Sequence, residues 1–381
     1  MQFELEIIKF VPPGDGFGVY HGKAVVVPAT VPGDTVRVFS LKENKRVISA
    51  VLQEILIPSP ERCEPACPHY QNCGGCSLMH LTYERQLALK KQMLIEVLGS
   101  NGIEWAPAIV PSPEIFNYRY KIRVRCEDGR LGFSERKSNR IVEIPGCRIV
   151  TPVMADTLKQ LVLLGRANTE FHLLQSRKTG SVAVSVLEGK DLVPLPGFEP
   201  SVVEDYGAGP LILHSHGFTQ ANPFITSAII RDLQAAARNS DRVCELFCGC
   251  GTFSMALAGS VSRLWGYDIS PLSIRTAKEN FQRQQLDHGD FSAGDLNRLR
   301  KLPPADTVVA DPPRKGLGNH VCQLINRSTA GKLIYVSCNP ASLARDIREL
   351  TGRGGFTLDE LTGYDMYCHA THLELLAVLS R

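Results

Sequence analysis

The sequence predicts an α/β protein in which a doubly wound domain follows two smaller, β-rich parts. From about residue 227, strand-like apolar runs alternate with helical patterns, which is typical of a parallel sheet covered by helices on both faces. Residues 1–58 instead combine short β-branched runs with closely spaced Gly and Pro turns, as small β-barrels do. Strand-like runs return over 115–205. We therefore divide the chain into 1–58, 59–205 and 206–381, with the helix near 80–100 a candidate for packing on the last domain.

The bulk composition is that of a globular protein. Of the 381 residues, 44% are hydrophobic and 21% are charged, which excludes a disordered or fibrous chain. We find neither a signal peptide nor an apolar run of the roughly 18 residues that a membrane-spanning helix needs. We expect a cytoplasmic monomer with no membrane partner, in which thiols stay reduced and a cysteine cluster indicates metal binding or catalysis.

The basic residues are concentrated in one segment. Residues 115–148 hold nine Lys or Arg against four acids, although the net charge of the whole chain is only +3. The nine are Arg119, Lys121, Arg123, Arg125, Arg130, Arg136, Lys137, Arg140 and Arg148. In YRYKIRVR the first four of them fall on one side of a strand, because side chains alternate. This face is either a phosphate-contacting surface with aromatic residues nearby or a solvated outer face.

A candidate cofactor site begins with CELFCGCGTFSMALAG, which reads as a strand, a glycine turn and a helix. Gly249 and Gly251 allow the backbone to bend sharply and to approach a ligand. Asp268 ends the next strand, where an acid can accept both hydroxyls of a ribose, and Asp295 follows a third strand, within reach of an adenine amino group. An adenosine ligand without a pyrophosphate cradle indicates S-adenosylmethionine; the alternative is ordinary turn glycines with exposed acids.

Two further strand ends carry reactive groups. Asp311 ends the strand in VVADPPRKG, where Asp-Pro-Pro also occurs in amino-methyltransferases that place an aromatic residue next. Arg314 follows here instead, which disfavours chemistry on an exocyclic amine. Cys338 ends the strand in IYVSCNP, at the edge where such sheets place their ligands, and its polar neighbours favour a nucleophile over a core thiol.

The segment YDMYCHATHLELLAV supplies more candidates just before the final apolar strand. His369 and His372 with a nearby acid could form part of a metal set, but no third ligand series is evident. Glu374 is equally suited to act as a general base.

The cysteines of CEPACPHYQNCGGC raise a separate question. Cys63, Cys67, Cys73 and Cys76 lie within fourteen positions and include a Cys-x2-Cys pair, which is a common half of a zinc site. A local zinc site is therefore geometrically possible. It would leave Cys147 without a role.

Together these motifs resemble the uracil-C5 RNA methyltransferase family over essentially the whole chain. Six blocks match its catalytic domain in order: FTQAN, ELFCGCGTFS, GYDIS, DPPRKG, YVSCNP and DMYCHATHLE. The N-terminal region resembles a TRAM domain, a small RNA-binding barrel of the OB type. The fold that this implies is a Rossmann-like methyltransferase domain with an N-terminal TRAM barrel and a central β-rich iron–sulfur domain.

The resemblance implies a role for each matching residue. The S-adenosylmethionine pocket would comprise Gln220, Phe247, Asp268, Asp295 and Asp311, with Asp311 or Gln220 also a candidate for contacting the target base. Cys338 would be the nucleophile and Glu374 the base, and Cys67, Cys73, Cys76 and Cys147 would hold a [4Fe–4S] cluster that leaves Cys63 out. The chain departs from the family pattern at Asp268, where glutamate is usual, and at Cys368 and Ala370, where proline and threonine are usual.

The activity that the resemblance implies is methylation of uracil C5 in RNA. This reaction needs a nucleophile such as Cys338, because C5 attacks a methyl donor only after a nucleophile has added to C6. TRAM-bearing members favour ribosomal RNA, so we expect 23S ribosomal RNA as the substrate and keep tRNA as the alternative. Two other hypotheses are a non-catalytic iron–sulfur protein that binds RNA and an amino-group methyltransferase acting on nucleic acid.

Overall fold

The N-terminal part of the protein is a six-stranded sheet that curls into a half-barrel. The computed structural model describes residues 1–12, 14–136, 138–144, 146–165 and 168–381. The strands of the first sheet are β1 (Gln2–Glu6), β2 (Lys9–Val11), β3 (Asp15–Tyr20), β4 (Lys23–Val27), β5 (Thr35–Glu43) and β6 (Val47–Ile57), in the order β1-β5-β6-β4-β3-β2. Alternate side chains such as Val25, Val36 and Ile48 point to one face and form its core.

The middle of the chain carries a second six-stranded sheet and two helices. Its elements are α1 (Tyr83–Ser100), β7 (Ala108–Val110), β8 (Lys121–Glu127), β9 (Arg130–Ser134), β10 (Ile141–Glu143), α2 (Pro152–Leu163), β11 (Thr169–Gln175), β12 (Val182–Glu188) and β13 (Asp191–Pro194). The sheet order is β10-β9-β8-β11-β12-β13, and every neighbouring pair is antiparallel. A two-stranded ribbon, β14 (Ser201–Asp205) and β15 (Pro210–His214), leads to the last part.

The last part is a sheet flanked by helices. Its elements are α3 (Pro223–Ala236), β16 (Arg242–Leu246), α4 (Thr252–Ala258), β17 (Arg263–Asp268), α5 (Pro271–Arg283), β18 (Gly289–Ala293), β19 (Thr307–Ala310), α6 (Gly318–Arg327), β20 (Lys332–Ser337), α7 (Pro340–Gly354), β21 (Thr357–Tyr364) and β22 (Glu374–Ser380), with a 3-10 turn at Leu296–Arg298. The order is β18-β17-β16-β19-β20-β22-β21-β7. This is the Rossmann-like, doubly wound sheet that the alternating pattern predicts.

The chain direction in this sheet determines where a ligand can bind. Strands β16 to β20 are parallel. Starting from the neighbouring pair β16 and β19, strands β17 and β18 are added on one side and β20 on the other, so the strand order reverses between β16 and β19. In doubly wound sheets, ligands bind at the carboxyl ends of the strands beside such a reversal. Strand β22 is antiparallel to β20, so its first residue lies at the same edge.

Apolar residues cover both faces of this sheet. All four residues of β19 are buried, as are the first six of β22. Helix α1, from the middle of the chain, adds Leu94 and Leu98 to the core on one face and packs against α7. Among the described residues, no helix has both the length and the apolar character to cross a lipid bilayer.

Candidate active site

The strand edge brings together residues that are far apart in the sequence. Asp268 ends β17, Asp311 follows β19 and Cys338 follows β20. Ser337 pairs with Leu375 in the antiparallel ladder, so Cys338 and Glu374, the next residues outward, lie side by side. The sheet therefore places the predicted nucleophile beside the predicted base.

The same local arrangement, a helix-capping residue followed by proline, comes after three of the predicted site residues. The loops that carry Gln220, Asp268 and Cys338 each end in a polar helix-capping residue followed by proline, at Asn222, Ser270 and Asn339. Each capping side chain accepts backbone N–H bonds, and proline is already set for the first helical turn. The short link from cap to site residue keeps each site residue at the strand edge.

The glycine turn after β16 forms an open floor at the point where the strand order reverses. Phe247, Gly249 and Gly251 have φ values of 61°, 54° and 83°, a left-handed backbone that suits glycine and is uncommon for phenylalanine. Added atoms at Gly249 would meet no protein atom within 4 Å, so a ligand can approach its backbone. Asp268 accepts hydrogen bonds from Gly249 N at 3.0 Å and Ser270 N at 2.7 Å, which tie this turn to the next strand.

The other predicted cofactor residues lie around this floor. Asp295 caps the 3-10 turn by accepting from Asn297 N, and this bond holds the pKa of its carboxyl below the ordinary value. The Gln220 side chain is buried, and its Nε2 makes no hydrogen bond of ordinary geometry among the described residues, although it lies near enough to Asp311 to affect that carboxyl. A buried amide donor without a partner is costly. The residues present therefore fit a polar ligand at this edge.

Burial and mutual repulsion dominate the electrostatics of the site. Burial raises the pKa of Glu374 well above its ordinary value, and the negative charge of Asp311 raises it further. Burial likewise raises the pKa of Asp311 to about 7, which the neighbouring Gln220 amide partly offsets. The pKa of the Cys338 thiol is also raised, by burial first and then by Glu374 and Asp311, while Arg314 opposes that rise.

Helix α1 anchors the segment that leads to Glu374. Lys90 Nζ lies 2.5 Å from Asp365 Oδ1 and donates to the Tyr367 carbonyl at 3.0 Å, and both members of this ion pair are fully buried. Tyr83 donates to the other Asp365 oxygen at 2.8 Å. One turn along the helix, the Gln86 side chain contacts His369 through both its nitrogen and its oxygen. His369 is therefore a structural residue, and its role as a metal ligand is unsupported.

The cysteine segment and the half-barrel also touch this region. The backbone N–H groups of Ser77 and Leu78 both donate to the His369 carbonyl, at 2.7 and 2.9 Å. Gly14, at the turn before β3, has a φ of 106°, and a side chain there would lie 2.7 Å from Thr371. The segment before Glu374 is thus enclosed by three parts of the chain.

Four of the predicted metal-ligating cysteines line one cavity of about 390 Å³: Cys67, Cys73, Cys76 and Cys147. Cys63 does not line it; its thiol donates to the Met79 carbonyl at 3.6 Å, and it lines a second cavity, which Cys67 also borders. All twelve cysteines are free thiols. Within the described ranges, no group of three or more His, Cys, Asp or Glu side chains is arranged to hold a metal ion.

The basic strand does not present a uniform surface. Arg123 is exposed and Ile122 and Val124 are buried, as alternation predicts. Lys121, by contrast, turns inward and donates to the Gly217 carbonyl in the loop before Gln220, and burial lowers its pKa to about 8. Lys121 therefore links β8 to the loop at Gly217 and is half-buried there. Lys137 lies outside the described residues.

The doubly wound sheet with its glycine turn is the architecture of a methyltransferase domain, and the comparisons assign this chain to that class. Residues 243–312 match the methyltransferase-domain family, and residues 295–381 match the family described as tRNA (Uracil-5-)-methyltransferase. Over 100% of its length the chain is 30% identical to the 23S rRNA (uracil(1939)-C(5))-methyltransferase RlmD of Alkalilimnicola ehrlichii, of which the match covers 96%. The chain belongs to the uracil-C5 RNA methyltransferase family, as its motifs predict.

Relatives described as transfer RNA enzymes are nearly as similar to this chain as the ribosomal RNA enzyme. The tRNA (uracil(54)-C(5))-methyltransferase of Pyrococcus abyssi is 28% identical, over 96% of this chain and 97% of the relative. A crystal structure of the Pyrococcus abyssi tRNA (uracil-54, C5)-methyltransferase in complex with S-adenosyl-L-homocysteine superposes with a TM-score of 0.81, at 25% identity and full coverage of both chains. The chain is thus an RNA uracil-C5 methyltransferase, and the comparisons include both ribosomal and transfer RNA enzymes.

Proposed function

We propose that this enzyme methylates uracil C5 through a covalent bond between Cys338 and C6 of the base. The observation that carries the proposal is the placement of Cys338 beside Glu374 at the carboxyl edge of the sheet, with Asp311 next to both. A thiol and a carboxylate side by side can supply both a nucleophile and a base to one ring. Replacement of Cys338 by alanine tests the proposal, because it should abolish methyl transfer.

In the proposed reaction, the Cys338 thiolate adds to C6, and the electrons of the C5–C6 double bond move toward O4. S-adenosylmethionine, when bound, would supply an electrophilic methyl group to the carbon nucleophile at C5, and its S–CH3 bond would break to leave S-adenosylhomocysteine. Glu374 then accepts the C5 proton, the C6–S bond breaks, and the double bond and the thiolate are restored. The base must leave its stack to reach Cys338, at a cost of a few kcal/mol that an unpaired loop reduces.

The methyl donor would bind along the open floor. We assign its contacts to Gln220, Phe247, Asp268, Asp295 and Asp311. Asp268 ends β17 and Asp295 follows the adjacent β18, where ribose and adenine contacts are expected, and Gln220 offers a buried amide beside Asp311. The glycine turn has free space above its backbone.

The ionisation of Glu374 predicts opposite effects of pH on activity and on stability. A base must be ionised to act, so its raised pKa makes the transfer rate rise as pH increases. Because the pKa of Glu374 is higher in the folded than in the unfolded state, its carboxyl adds to folding stability below the ordinary pKa of glutamate. This contribution is lost as pH rises through the raised value. We expect the Glu374→Gln variant to be inactive but to gain stability over the parent between pH 5 and 8, by up to about 1.4 kcal/mol per pH unit.

Urea unfolding at pH 5 and pH 8 measures this effect. Glu279→Gln, on the exposed face of α5, is the matched control and should show no pH-dependent difference from the parent. A Glu374→Gln variant with the same relative stability at both pH values would contradict the raised pKa.

We further propose that Cys67, Cys73, Cys76 and Cys147 hold a [4Fe–4S] cluster. Four thiols around a common cavity are the donor set that such clusters use, and Cys63 faces elsewhere. When bound, the cluster would join the loop before α1 to the segment after β10. We also propose the division of the chain at residues 58 and 205, with a TRAM-type RNA-binding role for the half-barrel.

Two serine substitutions test the ligand set. Protein purified without oxygen should be brown, with about four irons per chain. Cys147→Ser should lose this absorption, and Cys63→Ser, the matched control four residues from Cys67, should keep it. Colourless protein containing one zinc, with Cys63→Ser destroying the metal site, would replace the cluster assignment by a zinc site.

We propose 23S ribosomal RNA as the substrate, supported by the relatives at 30–31% identity that carry that description. Cells lacking the enzyme should lose 5-methyluridine at one or more mapped positions of ribosomal RNA and keep it in tRNA. Loss from tRNA alone would transfer the proposal to the second substrate. Unchanged 5-methyluridine in both RNAs would favour a non-catalytic RNA-binding role, and an N-methylated base would indicate an amino-group methyltransferase.

A further inference from the structure

Two arginines from distant parts of the chain lie near Tyr367 at the candidate active site. The guanidinium carbon of Arg119 lies 5.8 Å from the centre of the Tyr367 ring. Arg314 is exposed in the loop after β19, and its carbonyl accepts a hydrogen bond from the side chain of Asn339, the residue after Cys338, at 2.8 Å. Its charge acts on Cys338 and Tyr367 and opposes the raised pKa of each group.

Within the described residues these arginines are not held in ion pairs, although the charge of Arg314 also acts on the Glu374 carboxyl. Neither forms a salt bridge with a carboxylate in the ranges that the structure describes, and the hydrogen bond from Arg119 Nε goes to a neutral carbonyl, that of Lys121, at 3.3 Å. The His372 ring centre lies 6.2 Å from that of Tyr367, and burial lowers the pKa of His372, so this ring is a neutral neighbour of the two arginines. Two guanidinium groups that no salt bridge holds remain able to attract an anion from outside the protein.

The chemistry of the site identifies that anion. A uracil ring that reaches Cys338 and Glu374 leaves its ribose and phosphates at the mouth of the pocket, since flipping rotates a nucleotide about its own backbone. Guanidinium groups match phosphate oxygens with two parallel hydrogen bonds. We propose that Arg119 and Arg314 form a phosphate clamp, with Tyr367 as its aromatic wall, that binds the RNA backbone next to the flipped uridine. This inference rests on the proposed function, because it takes the target base to occupy that pocket.

The position of Arg119 also gives the clamp a direction. Besides approaching Tyr367, Arg119 lines the cysteine cavity together with Arg123, Arg136 and Arg148. A strand that leaves the clamp over Arg119 therefore continues along further arginines. The RNA on that side of the target nucleotide lies across the rim of the cavity.

A salt series with two variants tests the clamp. The probe is an oligocytidylate with one central uridine, and its binding is followed by fluorescence anisotropy without methyl donor. Arg119→Met and Arg314→Met should each weaken binding roughly tenfold. Each should also reduce the slope of log affinity against log salt by about 0.7, the contribution of one phosphate on a single strand. Arg283→Met, on the outer face of α5, is the matched control and should change neither quantity.

Modified RNA tests the same contact in the unaltered enzyme. A neutral methylphosphonate beside the uridine should weaken binding to the parent but cause little further loss in Arg119→Met or Arg314→Met. Equal losses in parent and variants, or unchanged salt slopes, would overturn the clamp. Loss of S-adenosylmethionine affinity with RNA binding intact would assign the arginines to the methyl donor instead. The clamp is judged by binding and the proposed function by 5-methyluridine formation, so either can fail alone.

Discussion

Replacing Cys338 with alanine is expected to abolish methyl transfer while the enzyme still folds and binds S-adenosylmethionine. Cys338 is half-buried at the strand edge, where its thiol lies beside Glu374. Without a nucleophile at C6, uracil C5 does not attack a methyl donor, so we expect kcat to fall by a factor on the order of 10⁴ or more. Incorporation of labelled methyl groups into RNA measures the loss, and calorimetric titration with S-adenosylmethionine measures the retained binding.

Two further variants separate this mechanism from simpler explanations. Cys126→Ala removes a buried thiol of β8 and should keep full activity, as a control for cysteine loss in general. Glu374→Gln should instead accumulate protein covalently joined to methylated RNA, because the C5 proton is not removed and Cys338 stays attached. Methyl transfer by the Cys338→Ala enzyme, or no covalent species with Glu374→Gln, would contradict the proposed reaction.

Replacing Lys90 with methionine is expected to have the largest effect on stability. The substitution leaves the Asp365 carboxylate fully buried and without its cation, while the Tyr83 hydroxyl still donates to it. Breaking a buried ion pair by removing one member costs about 3–5 kcal/mol, so the thermal midpoint should fall by on the order of 10 °C. Activity should fall as well, because the Lys90 amine also holds the Tyr367 carbonyl.

Differential scanning calorimetry of three variants beside the parent tests this prediction. Lys91→Met changes the neighbouring, exposed residue of α1 and should leave the midpoint nearly unchanged. The double variant Lys90→Met with Asp365→Leu removes both charges and should recover much of the loss. If Lys90→Met alone matched the Lys91 control, the ion pair would not contribute to folding.

The sequence predicts the strand edge well because its signals are local. Asp268 and Cys338 each stand at the end of an apolar run and shortly before a capping residue with proline, so a few neighbouring residues suffice to locate them. The Rossmann-like order follows from the same alternation of strands and helices. Glu374 is harder to place, since its position beside Cys338 depends on β22 being antiparallel.

Other residues were missed because their surroundings come from remote parts of the chain. Lys90 lies on a helix rich in charged residues and would be taken for a solvated side chain, whereas its partner lies 275 residues away. Lys121 alternates correctly with its neighbours on the basic strand, yet the loop at Gly217 covers it. No local pattern predicts that Arg119 approaches Tyr367.

The placement of β22 between β20 and β21 has a consequence for biosynthesis. Both neighbours precede β22 in the chain, so they emerge from the ribosome before the strand that joins them. Domains fold largely as they are made, but this sheet cannot close until its last central strand appears. Glu374, the first residue of β22, then joins a sheet edge at which Cys338 is already in place. A nascent chain would therefore present the reactive cysteine before it possesses the base, and catalytic competence would be acquired only in the final step of folding.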